Sequence, residues 1–184
     1  MIRIALVTSY LLVIALANVL TASYAPLLLG SLIVPAGSFL IGVTFILRDL
    51  VQRAIGRRAT YAAIGSAMLL SGLTSYWLGD TLWIVFASAV TFLLSETADT
   101  EIYTRLNKSL AVRVLYSGLV GSVIDSAVFV VVGLSPIGAG FLPWEAVGYA
   151  IAGQIVVKAG MQTLGAALLA ATVRDQAPKT GMEA

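Results

Sequence analysis

Apolar residues run through the chain in six long stretches, at 4–22, 35–55, 59–78, 81–103, 110–132 and 144–173, with only short connections between them. A transmembrane helix needs about 20 mainly apolar residues, because the hydrocarbon core is about 30 Å thick and a helix rises 1.5 Å per residue. The pattern therefore predicts an all-α membrane protein, a six-transmembrane-helix bundle forming one integral membrane domain over 1–184. Pro35 suits the first turn of the second helix, where its missing N–H costs nothing. Gly56 is expected to end that helix, and Gly79-Asp80 to turn the chain between the third and fourth. Ser135-Pro136-Ile137-Gly138-Ala139-Gly140 reads as the loop before the last helix. The uncharged stretch 23–34 is too short to span. It reads as a hairpin or re-entrant segment at the outer face, a candidate lid over a cavity. Residues 174–184 are expected to form a polar cytoplasmic tail.

Composition sharpens this picture. Hydrophobic residues make up 59% of the chain and charged ones 11%, less than half of the roughly 25% usual in soluble domains. There is no Cys and no His, which excludes a disulfide, a Cys nucleophile, a Ser-His-Asp triad and the common N/S zinc sites. No Walker A sequence or Gly-rich phosphate loop is present, so the chain is not expected to use ATP itself. Neither a cofactor nor a metal is expected. The expected partners are a small solute and the lipid bilayer, not nucleic acid.

Basic residues set the orientation. Arg3, Arg53, Arg57, Arg58, Arg105, Lys108, Arg113, Arg174 and Lys179 lie at the N-terminus, in the second and fourth loops, or in the tail, and Arg48 lies at the inner end of the second helix. The first, third and fifth loops contain no Lys or Arg. By the positive-inside rule both termini face the cytoplasm, as an even span count also requires. The expected location is the cytoplasmic (inner) membrane. A competing reading takes Arg3, a short apolar run and Ala15-Leu16-Ala17 as a cleavable signal peptide, which would leave five spans.

Charges within hydrocarbon are costly and usually face the bundle interior or a watery cavity. The polar residues in the spans are Asn18, Asp49, Glu96, Asp99, Asp125, Gln154 and Lys158. Asn18 and Asp125 fall about 21–23 Å from the cytoplasmic ends of their helices, Lys158 near the middle, and Asp49, Glu96 and Asp99 in the inner third. Glu96 and Asp99, Ser122 and Asp125, and Gln154 and Lys158 are three or four apart, so each pair shares a face. Two readings stand open. These groups form structural ion pairs, such as Lys158 with Asp125 or Glu96 and Asp99 with Arg105 or Arg48, or they converge on one binding cavity. Four intramembrane carboxylates against Lys158 and Arg48 leave a surplus, which a ligand rich in N–H donors, with a guanidine-like edge, would satisfy. Trp77, Trp83 and Trp144 are expected to anchor at the outer interface. Gly148, Gly153, Gly160 and Gly165 suit close packing of the last helix.

The order of motifs resembles a known family. Ala17-Asn18-Val19-Leu20, Pro35-Ala36-Gly37-Ser38-Phe39, Ile46-Leu47-Arg48-Asp49-Leu50-Val51-Gln52-Arg53, Ser95-Glu96-Thr97-Ala98-Asp99, Gly121-Ser122-Val123-Ile124-Asp125-Ser126 and Lys158 are similar to the queuosine precursor transporters, also called the vitamin uptake transporter family. The resemblance implies uptake of 7-cyano-7-deazaguanine or 7-aminomethyl-7-deazaguanine. It carries functional roles onto Asn18, Asp49, Asp99, Asp125 and Lys158. On this reading Asn18, Glu96, Asp125, Gln154 and Lys158 bind the solute, while Asp49 and Asp99 serve coupling or gating. The N–H and amino edge of the base suits Asp125 or Glu96, and its ring carbonyl would accept from Lys158, Gln154 or Asn18.

Two other classes remain open. Substrate-binding subunits of energy-coupling-factor transporters have a similar six-helix layout, and commonly present an Ala-x-x-x-Ala face to a coupling subunit. The segment 15–22 has no Ala pair at that spacing, and a coupling subunit or a homo-oligomer stays open as a partner. An intramembrane lipid-active enzyme would need a metal site of which Glu96-Thr97-Ala98-Asp99 is at most half.

Overall fold

The computed structural model describes residues 1–172; Arg174, Lys179 and the expected tail lie outside the described residues. The helices are α1 (Ile2–Ser23), α2 (Ser38–Ile55), α3 (Arg57–Trp77), α4 (Leu82–Arg105), α5 (Leu110–Val128) and α6 (Trp144–Thr172). A π-helical turn, Phe129–Leu134, prolongs α5. Between α1 and α2 the chain makes an antiparallel hairpin of β1 (Leu27–Leu29) and β2 (Leu32–Val34), with Leu28 opposite Ile33.

Local chemistry explains the breaks. Gly56 adopts φ 83° and separates α2 from α3 with a single residue, a conformation that costs glycine little. Gly79, at φ 91°, turns the chain out of α3. The Thr81 hydroxyl then caps α4 by accepting from Ile84 N at 3.3 Å, and Ser109 caps α5 by accepting from Val112 N at 3.4 Å. Each cap satisfies a backbone N–H that a helix start leaves open.

Pro35 does not occupy the first turn of α2. Its carbonyl accepts from Ser38 N at 2.9 Å and the helix starts three residues later than expected. The residue before a proline avoids helical dihedrals, and Val34 is held extended in β2. Gly37 follows where a Cβ would come within 2.3 Å of the Ala17 carbonyl, so the entry to α2 lies directly against α1.

The packing inverts the usual polarity. Arg48, Asp49, Glu96, Asp99, Gln154, Lys158 and Gln162 are buried, while Leu12, Leu16, Leu69, Phe86, Leu93, Leu164 and Leu168 are exposed. Such a surface suits lipid rather than water. Helix α2, which carries Arg48 and Asp49, touches all five other helices and forms the axis of the bundle. Four helices are long and apolar enough to cross a membrane: α1, α4, α5 with its π extension, and α6.

The glycines of α6 divide into two kinds. Gly153 faces the Ile33 carbonyl of β2, where a Cβ would come within 2.8 Å, and Gly165 faces the Ile46 side chain. Gly148 and Gly160 have nothing nearby, which corrects the expectation that all four serve close packing. Trp77, Trp83 and Trp144 are exposed. Trp83 has a second contact, since its Nε1 donates to the Val132 carbonyl at 2.7 Å.

Candidate substrate site

Two polar centres occupy the bundle, one above the other along α4. The first is a cavity of about 260 Å³ lined by all six helices, with Asn18, Thr91, Asp125, Gln154 and Lys158 among its walls. Its size lies just below the roughly 300–1,000 Å³ of drug-sized ligand sites, which suits one small solute.

Lys158 organises this cavity. Its Nζ donates to Asp125 Oδ2 at 2.5 Å, to Gln154 Oε1 at 2.8 Å and to Ser126 Oγ at 3.2 Å. An ammonium has three donors, so all are engaged. Gln154 and Asp125 are consequently held side by side on one nitrogen. Gln154 Nε2 is buried with no hydrogen-bond partner, and so is the Thr91 hydroxyl. Buried polar groups in folded proteins are nearly always paired. An unpaired amide donor and a partly accessible carboxylate therefore share one wall of the cavity.

Asn18 reaches the cavity from α1. Its Nδ2 donates to Thr74 Oγ1 at 2.8 Å, to Ser71 Oγ at 3.0 Å and to the Ser71 carbonyl at 3.1 Å. These contacts tie α1 to α3 and leave only its side-chain carbonyl free for a solute.

The second centre surrounds Arg48. Its buried guanidinium meets Asp49 Oδ1 at 2.9 Å through Nη1 and Glu96 Oε2 at 3.1 Å through Nε, and Nη2 pairs with Asp99. Nη1 also donates to Gln52 Oε1 at 3.2 Å and Thr100 Oγ1 at 3.3 Å, and Ser117 donates to Asp49 at 3.2 Å. Glu96 lies one helical turn beyond Phe92 of the cavity wall. The cluster thus lies beyond that end of the cavity without lining it.

The expected single constellation is therefore two. Asn18, Asp125, Gln154 and Lys158 share the cavity; Glu96 does not line it and joins Asp49 and Asp99 on Arg48. Of the alternative ion pairs, Lys158 takes Asp125 rather than Glu96, and Asp99 takes Arg48 rather than Arg105. Arg48, which the sequence puts merely at a helix end, is the hub of this second centre. Its signal was the adjacent carboxylate and the Gln52 amide one turn on, on the same face. Thr91 and Asp80, both in the cavity wall, were not singled out as site residues either.

The family model described as "Putative vitamin uptake transporter" matches residues 35–172. The chain belongs to the vitamin uptake transporter family. No curated protein and no solved structure matches it. The family match spans α2 to α6, and so includes both the Lys158 and the Arg48 centres; Asn18 precedes it. Membership in this family makes the chain a multi-pass membrane protein that takes up a small molecule, and the buried charges, lipid-suited surface and polar cavity agree with that activity.

Proposed function

We propose that the chain takes up a 7-deazaguanine, the 7-cyano or the 7-aminomethyl queuosine precursor, across the cytoplasmic membrane. The observation that carries this reading is the unpartnered Gln154 Nε2 beside Asp125. A donor next to an acceptor complements the carbonyl and N–H of a lactam edge, and a carboxylate can take two parallel N–H donors. The motifs quoted above supply the substrate class. Lys158 contributes its charge and holds the other two groups in place.

In this reading the Arg48 cluster is the inner gate. Solute enters the cavity from the outer side, and release requires α2 and α4 to part at Arg48, Asp49 and Asp99. Three carboxylates on one guanidinium leave an excess of negative charge, which a proton moving with the solute would offset. Helices α2 and α3 complete six spans, with both termini in the cytoplasm, as the basic loops require.

The test is uptake of both labelled deazaguanines into cells lacking their own carrier. Saturable uptake, weakly competed by guanine and lost in Asp125→Asn, is expected. No uptake of either compound despite confirmed membrane insertion would remove the substrate assignment.

A further inference from the structure

The charge of the cavity does not balance. Among its described lining residues three carry charge: Lys158, Asp125 and Asp80. Lys158 and Asp125 neutralise one another through their ion pair. Asp80 has no Lys or Arg within ion-pair range among the described residues; its carboxylate accepts from the Ser75 hydroxyl alone. It is half-buried, next to the Thr81 cap of α4, where the partial positive charge of a helix start favours an anion. The cavity thus presents one uncompensated carboxylate at the end away from Arg48, fixed on a short turn by Gly79 and by Asp80 N donating to the Ser75 carbonyl at 3.2 Å.

We propose that Asp80 forms a cation subsite of this cavity and selects solutes that carry a protonated primary amine. The inference rests on the uptake reading above and makes it narrower: the neutral donor–acceptor edge goes to Gln154 and Asp125, and a charged arm goes to Asp80. An amine arm supplies three N–H donors and the missing positive charge together. A neutral solute of the same shape leaves Asp80 unbalanced inside a low-dielectric mouth, which disfavours it. Of the two deazaguanines, the aminomethyl form is the one that carries such an arm.

The experiment compares uptake of labelled 7-aminomethyl-7-deazaguanine and 7-cyano-7-deazaguanine by the wild type, Asp80→Asn and Asp80→Glu. The wild type should show a KM about tenfold lower for the aminomethyl compound, the effect of one charge-assisted hydrogen bond. Asp80→Asn keeps the polar turn but removes the charge, so it should erase that preference by raising the KM for the aminomethyl compound and easing uptake of the cyano compound; Asp80→Glu should retain part of it. Equal loss of both compounds in Asp80→Asn, or an unchanged preference, overturns the subsite. A second measurement separates this result from the substrate assignment. The purified wild type should gain thermal stability from benzylammonium but not from benzyl alcohol, and Asp80→Asn should gain from neither. If neither deazaguanine is carried and this difference persists, the substrate assignment falls and the cation subsite stands. If benzylammonium and benzyl alcohol act alike, the subsite falls.

Discussion

Lys158 donates three hydrogen bonds to protein oxygens, so in the proposed site it would give a solute charge and order rather than a free donor, and Gln154 would give the donor. Gln154→Glu isolates that role. The new carboxylate still accepts from Lys158, but the unpartnered N–H group is replaced by an acceptor. Uptake should fall by about tenfold or more, while the unfolding temperature of the detergent-purified protein stays close to wild type. At the other centre, Arg48→Met strands three carboxylates. Breaking a buried pair costs about 3–5 kcal/mol, so little folded protein should be recovered. Glu96→Gln acts in the opposite direction: it removes one excess charge and keeps an oxygen for Arg48 Nε, and thermal unfolding should show it at least as stable as wild type. Residues of this kind differ in how far a sequence betrays them. Asp125, Gln154 and Lys158 stand out because they interrupt long apolar runs. Arg48 is ambiguous, since a cation near a helix end ordinarily snorkels to the interface, and only its three carboxylate partners draw it inward. Thr91 is hidden for another reason. Most Thr hydroxyls in such helices bond their own backbone, and nothing in the sequence marks Thr91 as one that does not.

At the level of elements, the α6–hairpin contact offers a matched comparison. Gly153→Ala drives a Cβ against the Ile33 carbonyl, which cannot rotate away as a side chain tip does; overpacking of this order costs about 1–3 kcal/mol. Gly160→Ala, two turns along the same helix, meets open space and should be neutral or stabilising by up to about 1 kcal/mol, the helix preference of Ala over Gly. Thermal unfolding of the two variants checks both signs. If they behave alike, β2 does not rest on α6 in the folded protein. Helix positions were legible because length and hydropathy are set by the bilayer. The start of α2 was not, since the position of Pro35 is compatible with a helix start or with the turn after a strand. The π turn at Phe129–Leu134 also leaves no pattern in composition. It becomes intelligible only with the rest of the fold, where Trp83 takes the Val132 carbonyl and the backbone N–H of Ala139 takes that of Gly133.

For the whole molecule, the question is how α2 and α3 relate to the membrane. Composition alone separates them from the other four helices, because α2 carries Arg48, Asp49 and Arg53 and α3 is rich in Ser and Thr. The proposed topology has α2 cross nonetheless, and the packing is compatible with it. Arg48 and Asp49 are buried among α2, α4 and α5 side chains, so their charge never meets lipid, and lipid sees Leu69 and Leu73 on α3. In the proposed topology, 56–58 and 106–109 lie on the cytoplasmic side, the side the positive-inside rule gives the Arg and Lys residues, and the hairpin and 135–140 lie outside. A chain without cysteine allows a direct check. Ser31→Cys and Ile137→Cys should react with a membrane-impermeant maleimide on intact cells, whereas Arg58→Cys and Asn107→Cys should react only after permeabilisation. Labelling of Arg58→Cys from outside, together with Ser31→Cys, would mean that α2 turns back without crossing. The Arg48 cluster would then lie on no path between the cavity and the cytoplasm, and its role as the inner gate would be lost while the cavity remained.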